Sequence, residues 1–160
     1  MPIQIFTVGG TIDKEYFDQK SRYEVGNPKI VDILREANVT FRFRIESLMK
    51  KDSLEMTAAD RELIRQKVQD TNSERIIITH GTDTMVKTAK KLRGMDGKTI
   101  VLTGAMSPAR FKSSDAAFNI GAAAAAVQVL PPGVYIVANG RIFDPAKIRK
   151  NREANRFEEI

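Results

Sequence analysis

Short apolar runs alternate along this chain with longer stretches whose apolar residues recur every three or four positions. The segments Ile3-Gln4-Ile5-Phe6-Thr7, Ile76-Ile77-Ile78-Thr79, Thr99-Ile100-Val101-Leu102-Thr103 and Val134-Tyr135-Ile136-Val137-Ala138 are short and rich in β-branched residues, and read as buried strands. Between Thr40 and Leu48, Phe41, Phe43 and Ile45 alternate with Arg42, Arg44 and Glu46, the period of a half-exposed strand near a sheet edge. Helices are predicted from about Pro28 to Ala37, from Thr57 to near Asn72, from about Asp83 to Arg93 and from Ser114 to Val129. The second opens on a capping-box-like Thr57-Ala58-Ala59-Asp60 with Leu63, Ile64 and Val68 as its apolar face, and Gly94 stops the third. The small side chains from Ala122 to Ala126 in the fourth permit close packing on a sheet or a neighbouring helix. Asn139-Gly140 before Arg141-Ile142-Phe143 predicts a type I′ hairpin.

Strands alternating with helices predict an α/β fold: a doubly wound, mostly parallel sheet of about five strands, three-layered, forming a single domain over residues 1–160. The basic segment from Lys147 to Arg156 is expected to be a flexible tail.

Composition narrows the function classes. With 42% hydrophobic residues in 160, the chain can bury an ordinary core. A formal charge of +6 raises nucleic acid as a partner, but Lys and Arg are scattered among 20 acids without an aromatic-basic motif, which argues against it. The absence of cysteine excludes disulfides, thiolate metal sites and cysteine nucleophiles. His80 is the single histidine, so a histidine metal site has one candidate ligand, and we expect no metal and no cofactor. Neither a secretory signal nor an apolar run of the ~20 residues that span a bilayer is visible, and the expectation is a cytoplasmic protein without a membrane partner.

Three strand ends carry glycine beside small or hydroxyl residues: Gly9-Gly10-Thr11, Gly81-Thr82-Asp83 and Gly104-Ala105. In open parallel α/β sheets, ligands bind at the carboxyl ends of the strands, where the N–H groups of the following helix also point. Small residues there leave room for a compact ligand, and Thr11, Thr82 and Asp83 offer two hydroxyls and a charge. The Gly-Gly loop could suggest a phosphate cradle, but neither G-x-G-x-x-G nor G-x-x-x-x-G-K-[ST] is present. Taken singly the features are bland: Thr82 as a helix cap, Tyr23 as a surface tyrosine, Ser53 as a turn residue, Lys150 as one solvated charge among Lys147, Arg149 and Arg152.

Together, Thr7-Val8-Gly9-Gly10-Thr11-Ile12 and Thr79-His80-Gly81-Thr82-Asp83-Thr84-Met85 resemble the bacterial-type L-asparaginases. The likeness extends to Ser21-Arg22-Tyr23-Glu24-Val25-Gly26, Asp52-Ser53-Leu54-Glu55-Met56, Gly104-Ala105-Met106-Ser107-Pro108 and the segment around Lys150. It implies an amidohydrolase converting L-asparagine to L-aspartate and ammonia, with glutamine a poorer substrate. On this resemblance Thr11 is the nucleophile, Tyr23 the tyrosine of a flap that closes over it, and Thr82, Lys150 and Asp83 a Thr-Lys-Asp triad. Gly10, Ser53, Leu54, Gly81, Asp83 and Ala105 are implied in substrate binding. Ser53 and Asp83 would hold the α-carboxylate and α-amino groups, and the Ala105 carbonyl would accept from the leaving amide. A threonine hydroxyl needs a base within hydrogen-bond reach, and backbone N–H groups at the Gly-Thr turns suit an oxyanion. His80 is expected to tie the loop down rather than act as a base.

The chain departs from the resemblance in two respects. Most of the family carries a C-terminal domain of over a hundred residues that supplies acidic contacts to the substrate's amino group from a neighbouring protomer, and this chain stops where that domain would begin. Leu54 stands where many members have a glutamine facing that amine. Two expectations stand: a short-chain form, completed as a homodimer or homotetramer, that leans on Asp83 for the amine, or a fragment that carries the framework and little activity. Two other readings stay open: a non-catalytic sensor of aspartate or asparagine on the same fold, and a nucleotide- or nucleic-acid-binding module.

Overall fold

The computed structural model describes residues 1–17 and 22–160; Ser21, one of the motif residues above, lies outside the described residues. Six strands form the main sheet, and four of the pairings between them are parallel. They are β1 (Ile3–Gly9), β4 (Phe43–Lys51), β5 (Arg75–Thr79), β6 (Thr99–Thr103), β7 (Gly133–Ala138) and β8 (Arg141–Phe143), in the spatial order β4-β1-β5-β6-β7-β8. The hairpin β2 (Lys14–Phe17) with β3 (Arg22–Val25) and the hairpin β9 (Ile148–Asn151) with β10 (Arg156–Glu159) stand outside it. Four helices complete the chain: α1 (Ile30–Glu36), α2 (Ala58–Asp70), α3 (Met85–Lys91) and α4 (Ala116–Val129).

The sheet is buried on both faces, and side-chain alternation sorts its apolar residues into two cores. Phe6, Ile76, Ile78, Ile100, Leu102 and Ile136 face α2 and α3, where Ile64, Val68, Met85 and Ala89 cover them. Ile5, Ile77, Val101 and Val137 face α1 and α4 and meet Ile30, Leu34, Ile120, Ala123 and Val127. This is the three-layer arrangement that parallel strands require, because a sheet buried on both faces must be apolar on both. The alternating strand lies at one edge, as its pattern predicts, although it runs from Phe43 to Lys51, a few residues later than the pattern suggests. Ala123, Ala124 and Ala126 are buried, and α4 lies against β5, β6 and β7.

Elements decided by short-range hydrogen bonds form where the sequence predicts them. Thr57 Oγ1 accepts from Asp60 N at 3.2 Å while Asp60 Oδ2 accepts from Thr57 N at 2.9 Å, a complete capping box. Asn139 (φ 54°) and Gly140 (φ 75°) both take positive φ in the β7–β8 hairpin, as a type I′ turn needs, and this adds an antiparallel sixth strand to the parallel set. The apolar face of α2 differs from expectation: Leu63 is 43% exposed, and Arg61 is buried beside Ile64 and Val68. The third helix begins at Met85 rather than Asp83, because residues 80–84 are committed to the site described below.

The expected flexible tail is instead the β9–β10 hairpin. Its apolar residues, Ile148 and Phe157, are each only 3% exposed, and the Phe157 ring lies 6.2 Å from that of Phe143. Phe157 N also donates to Asn139 Oδ1 at 3.0 Å. Two apolar residues nine positions apart amid basic ones show no periodicity, and only docking on β8 makes the segment a hairpin. Phe157→Ala should therefore lower the unfolding free energy by about 3 kcal/mol, measured by urea titration.

Candidate active site

The parallel register puts three loops at one rim. Thr7 pairs with Thr79 across β1 and β5, and Thr79 with Thr103 across β5 and β6, so the chain leaves all three strands at the same level. The loops then meet backbone to backbone. A Cβ at Gly10 (φ 94°) would sit 2.5 Å from Gly81 N and 2.6 Å from Gly81 Cα. A Cβ at Gly81 would in turn meet Ser53 Cβ at 2.6 Å. Only glycine permits both approaches, and they seat Thr11, Thr82 and Ser53 on adjoining loops.

A fourth segment enters from far along the chain. Lys150 on β9 donates from Nζ to Thr82 Oγ1 and to Asp83 Oδ1, each at 2.7 Å. Thr82 is buried, and Lys150 and Asp83 are half-buried. Thus Lys150, distant in sequence, joins the neighbouring Thr82 and Asp83 in one hydrogen-bonded set. Asp83 Oδ1 carries a second cation, with Arg152 Nε 3.5 Å away.

His80 lies beneath this set, fully buried. Its Nδ1 contacts Gly81 O at 2.7 Å, and since a carbonyl only accepts, Nδ1 carries the proton. Nε2 accepts from Thr88 Oγ1 at 2.7 Å, and that hydroxyl accepts from Arg61 Nε at 3.1 Å. Burial holds the imidazole pKa down to about 4, opposed by the Gly81 hydrogen bond and reinforced by the Arg61 charge. The neutral ring is saturated with partners and has no free nitrogen for base chemistry, in keeping with the structural role expected for it.

Arg61 and Thr88 carry no motif and are found only in the structure. Arg61 is 5% exposed; besides Thr88 it donates to Thr84 Oγ1 at 2.9 Å and to Met56 O at 3.3 Å, and burial lowers its pKa. Thr84 Oγ1 donates on to Ser53 O at 2.8 Å, and Thr84 N donates to Ser53 Oγ at 3.2 Å. One guanidinium therefore braces both the His80 loop and the Ser53 turn. A signal existed: Arg61, Ile64 and Val68 fall on one helical stripe, and arginine on a core-facing stripe needs buried acceptors.

Asp115 and Asn119 are further site residues that no motif marks. The Asp115 carboxylate accepts from Met106 N and Ser107 N, and Asn119 Nδ2 donates to Gly104 O at 2.9 Å. Together they set the loop holding Ala105, which is 1% exposed.

The remaining expected residues, Leu54 and Tyr23, are exposed. Leu54 is 60% exposed and presents no polar atom from its side chain. Tyr23 is 49% exposed on the β2–β3 hairpin, its ring 5.4 Å from Tyr16 and edge-on to Phe111 at 5.6 Å. The hairpin is thereby stacked on the loop that follows β6. A concavity of about 340 Å³ beside it is lined by Tyr23, Lys14, Arg22, Lys50, Asp52 and Glu55, among others. A larger one, about 540 Å³, lies between β7, β8 and Arg93. It contains none of the hydroxyls or glycines of the strand-end loops, and we place the site at the rim, where the chemistry converges. Among the described residues no cluster of acids and histidine could hold a metal ion.

A profile of the asparaginase N-terminal family, described as "Asparaginase, N-terminal", matches residues 2–158. The chain belongs to that family. A glutamyl-tRNA(Gln) amidotransferase chain of Methanococcus vannielii is 34% identical to it over 138 residues, covering 81% of this chain and 32% of the relative. Among solved structures, L-asparaginase I of Vibrio cholerae superposes with a TM-score of 0.85 at 27% identity, over 98% of this chain and 50% of that one. The thermostable L-asparaginase of Thermococcus kodakarensis gives 0.83 at 25% identity, over 100% and 51%. The chain thus spans about a third of the curated relative and half of each solved asparaginase.

One buried acid of this asparaginase-family domain lies two residues beyond Thr11. Asp13 is 2% exposed; Oδ1 accepts from Lys29 N at 2.9 Å, and Oδ2 has no partner among the described residues. Burial raises its pKa to about 7, against the opposing Lys29 hydrogen bond and charge. Between pH 4 and 7 the fold keeps a proton that the unfolded chain has released, so the Asp13 contribution to stability falls as pH rises. His80 does the reverse from pH 4 to 6.5, since the unfolded chain binds the proton that the buried ring refuses. Asp13→Asn keeps the Lys29 acceptor and removes one of these opposed dependences. Its stability relative to wild type should rise by about 2–4 kcal/mol from about pH 4 to pH 8, measured by urea denaturation at both.

Proposed function

We propose that the rim site hydrolyses a carboxamide through a threonine ester, with L-asparagine as the first substrate to test. The observation that carries this reading is Lys150 Nζ, 2.7 Å from both Thr82 Oγ1 and Asp83 Oδ1, beside a Gly-Gly-Thr loop packed on Gly81. Thr11 Oγ attacks the amide carbon while its proton passes to a neighbouring base. Backbone N–H groups of the adjoining glycine turns stabilise the oxyanion, a contact worth about 3 kcal/mol in related chemistry. The base returns that proton to the amide nitrogen as the C–N bond breaks, which expels ammonia and leaves an acyl ester on Thr11. A water then gives a proton through Thr82 to Lys150 in its free-amine form and attacks the ester, and that proton passes to Thr11 Oγ as the C–O bond breaks, returning the acid and free Thr11. Tyr23 covers the substrate from the β2–β3 hairpin, and Ser53 and Gly81 line the floor. No step calls for a cofactor.

Rates of ammonia release from asparagine test this directly. Thr11→Ala and Thr82→Val should each reduce kcat at least about a hundredfold, and Lys150→Met should do the same with circular dichroism unchanged. Wild-type rates in the two threonine variants would remove the proposed nucleophile and triad.

The similarity to an amidotransferase chain favours a second reading on the same chemistry, in which the released amide nitrogen serves an acceptor held by a partner protein. Glutamine hydrolysed faster than asparagine would favour it. A sensor that binds aspartate and never turns over asparagine is the non-catalytic alternative.

We further propose that the chain works as a homodimer or homotetramer, because Tyr23, Leu54 and Arg152 leave the mouth exposed on one side. Sedimentation velocity should show an oligomer with activity; an active monomer contradicts the proposal.

A further inference from the structure

The charge at the mouth of the site differs from what a free amino acid requires. Asp83 is the acid of the strand-end cluster and the group on which capture of an α-ammonium would depend, since Leu54 offers no acceptor from its side chain. Yet Asp83 Oδ1 already faces two cations, Lys150 Nζ at 2.7 Å and Arg152 Nε at 3.5 Å. With Lys150 as the ammonium the cluster carries a net positive charge, and with Lys150 as the free amine that takes the proton it carries none, so in neither state does Asp83 stand as an uncompensated carboxylate.

The acids beside the flap do not reverse this. In the concavity beside the flap, Asp52 pairs with Lys14 at 3.4 Å and Glu24 with Arg22 at 2.7 Å. Glu55 is the remaining acid there, exposed and in company with Lys50. The Arg152 side chain is 66% exposed, so its pair with Asp83 adds little to stability. Its consequence is electrostatic. The guanidinium meets Asp83 through Nε and leaves most of its side chain open to an incoming anion.

We propose that Arg152 sets the substrate class of this site: carboxamides that carry a carboxylate and no free ammonium next to it, such as the monoamide of a four-carbon dicarboxylic acid or an N-acylated asparagine. This rests on the amide-hydrolysis reading for the site's location and deepens it in substrate. Arg152 repels the ammonium of asparagine across a short distance at a half-exposed mouth, where one unit charge changes affinity by about tenfold. The same charge attracts the carboxylate of an amide that lacks the amine.

The experiment is calorimetric titration of the full chain with succinate and with L-aspartate, the two products that differ only by the amine. Wild type should bind succinate about tenfold more tightly. Arg152→Gln should bring the two within about threefold of each other, and Arg152→Lys, which keeps the charge, should retain most of the preference. Equal or tighter binding of aspartate by wild type, an unchanged ratio in Arg152→Gln, or no binding of either dicarboxylate overturns the proposal. Binding is read without turnover, so the outcome is separate from the Thr11→Ala ammonia assay: a succinate preference that vanishes in Arg152→Gln stands even if no amide is hydrolysed.

Discussion

The close approach of Gly10 to Gly81 is the constraint on which the site depends. Two loops leaving neighbouring parallel strands meet with no room for a Cβ on either, since a side chain at Gly10 would overlap Gly81 and one at Gly81 would overlap Ser53. Steric exclusion of this kind is short-ranged and steep, so it fixes position more tightly than any single hydrogen bond. It brings the hydroxyl-bearing residues that follow each glycine to one rim. A methyl group at either position would separate the loops.

That contact is held from below by polar groups that would be costly if unpaired. Arg61, Thr88 and His80 form a directed chain in which each donor meets one acceptor, ending on Gly81 O. Burial forces the ring to be neutral, and neutrality allows Nε2 to accept from Thr88. The same guanidinium reaches Thr84 and Met56, and Thr84 reaches Ser53. The Ser53 turn and the His80 loop therefore share one buried cation, and loss of it would leave several acceptors desolvated without partners. Asp115 and Asn119 brace the Ala105 loop in the same manner from the start of α4.

Above the rim the arrangement is looser. Lys150 arrives on a hairpin docked through Ile148 and Phe157, Tyr23 on a hairpin stacked against Phe111, and Arg152 from the turn after β9. Each depends on a few apolar or aromatic contacts near the surface. On the proposed function, the hydrogen-bonded floor would carry the reacting groups and the more exposed mouth the groups that choose a substrate. Asp83 belongs to both parts, since it joins Thr82 through Lys150 and meets Arg152 outside.

Much of the fold was legible because its causes are local. The β-branched runs at residues 76–78 and 99–103 could only be buried strands, the Thr57-Asp60 spacing closes a capping box within one turn, and Asn139-Gly140 tolerates the positive φ of its hairpin. The glycine and threonine motifs at strand ends marked the rim for the same reason: which residue can follow a strand there is a matter of backbone freedom and size. Arg61 remained hidden because an arginine on an amphipathic helix is ordinarily solvated, and only the fold brings Thr84, Thr88 and Met56 around it. The segment from Lys147 onward has no hydrophobic period, and its order comes from Phe143 and Asn139, to which Phe157 docks from more than a dozen positions away. By itself, then, the sequence determined the strands of the main sheet, the α2 cap and the residues able to stand at a crowded strand end, since those follow from periodicity and local sterics. Tertiary structure alone decided which charges meet, joining Lys150 and Arg152 to Asp83, because a contact between residues so far apart in the chain is set by the packing of the whole sheet and by nothing in either segment.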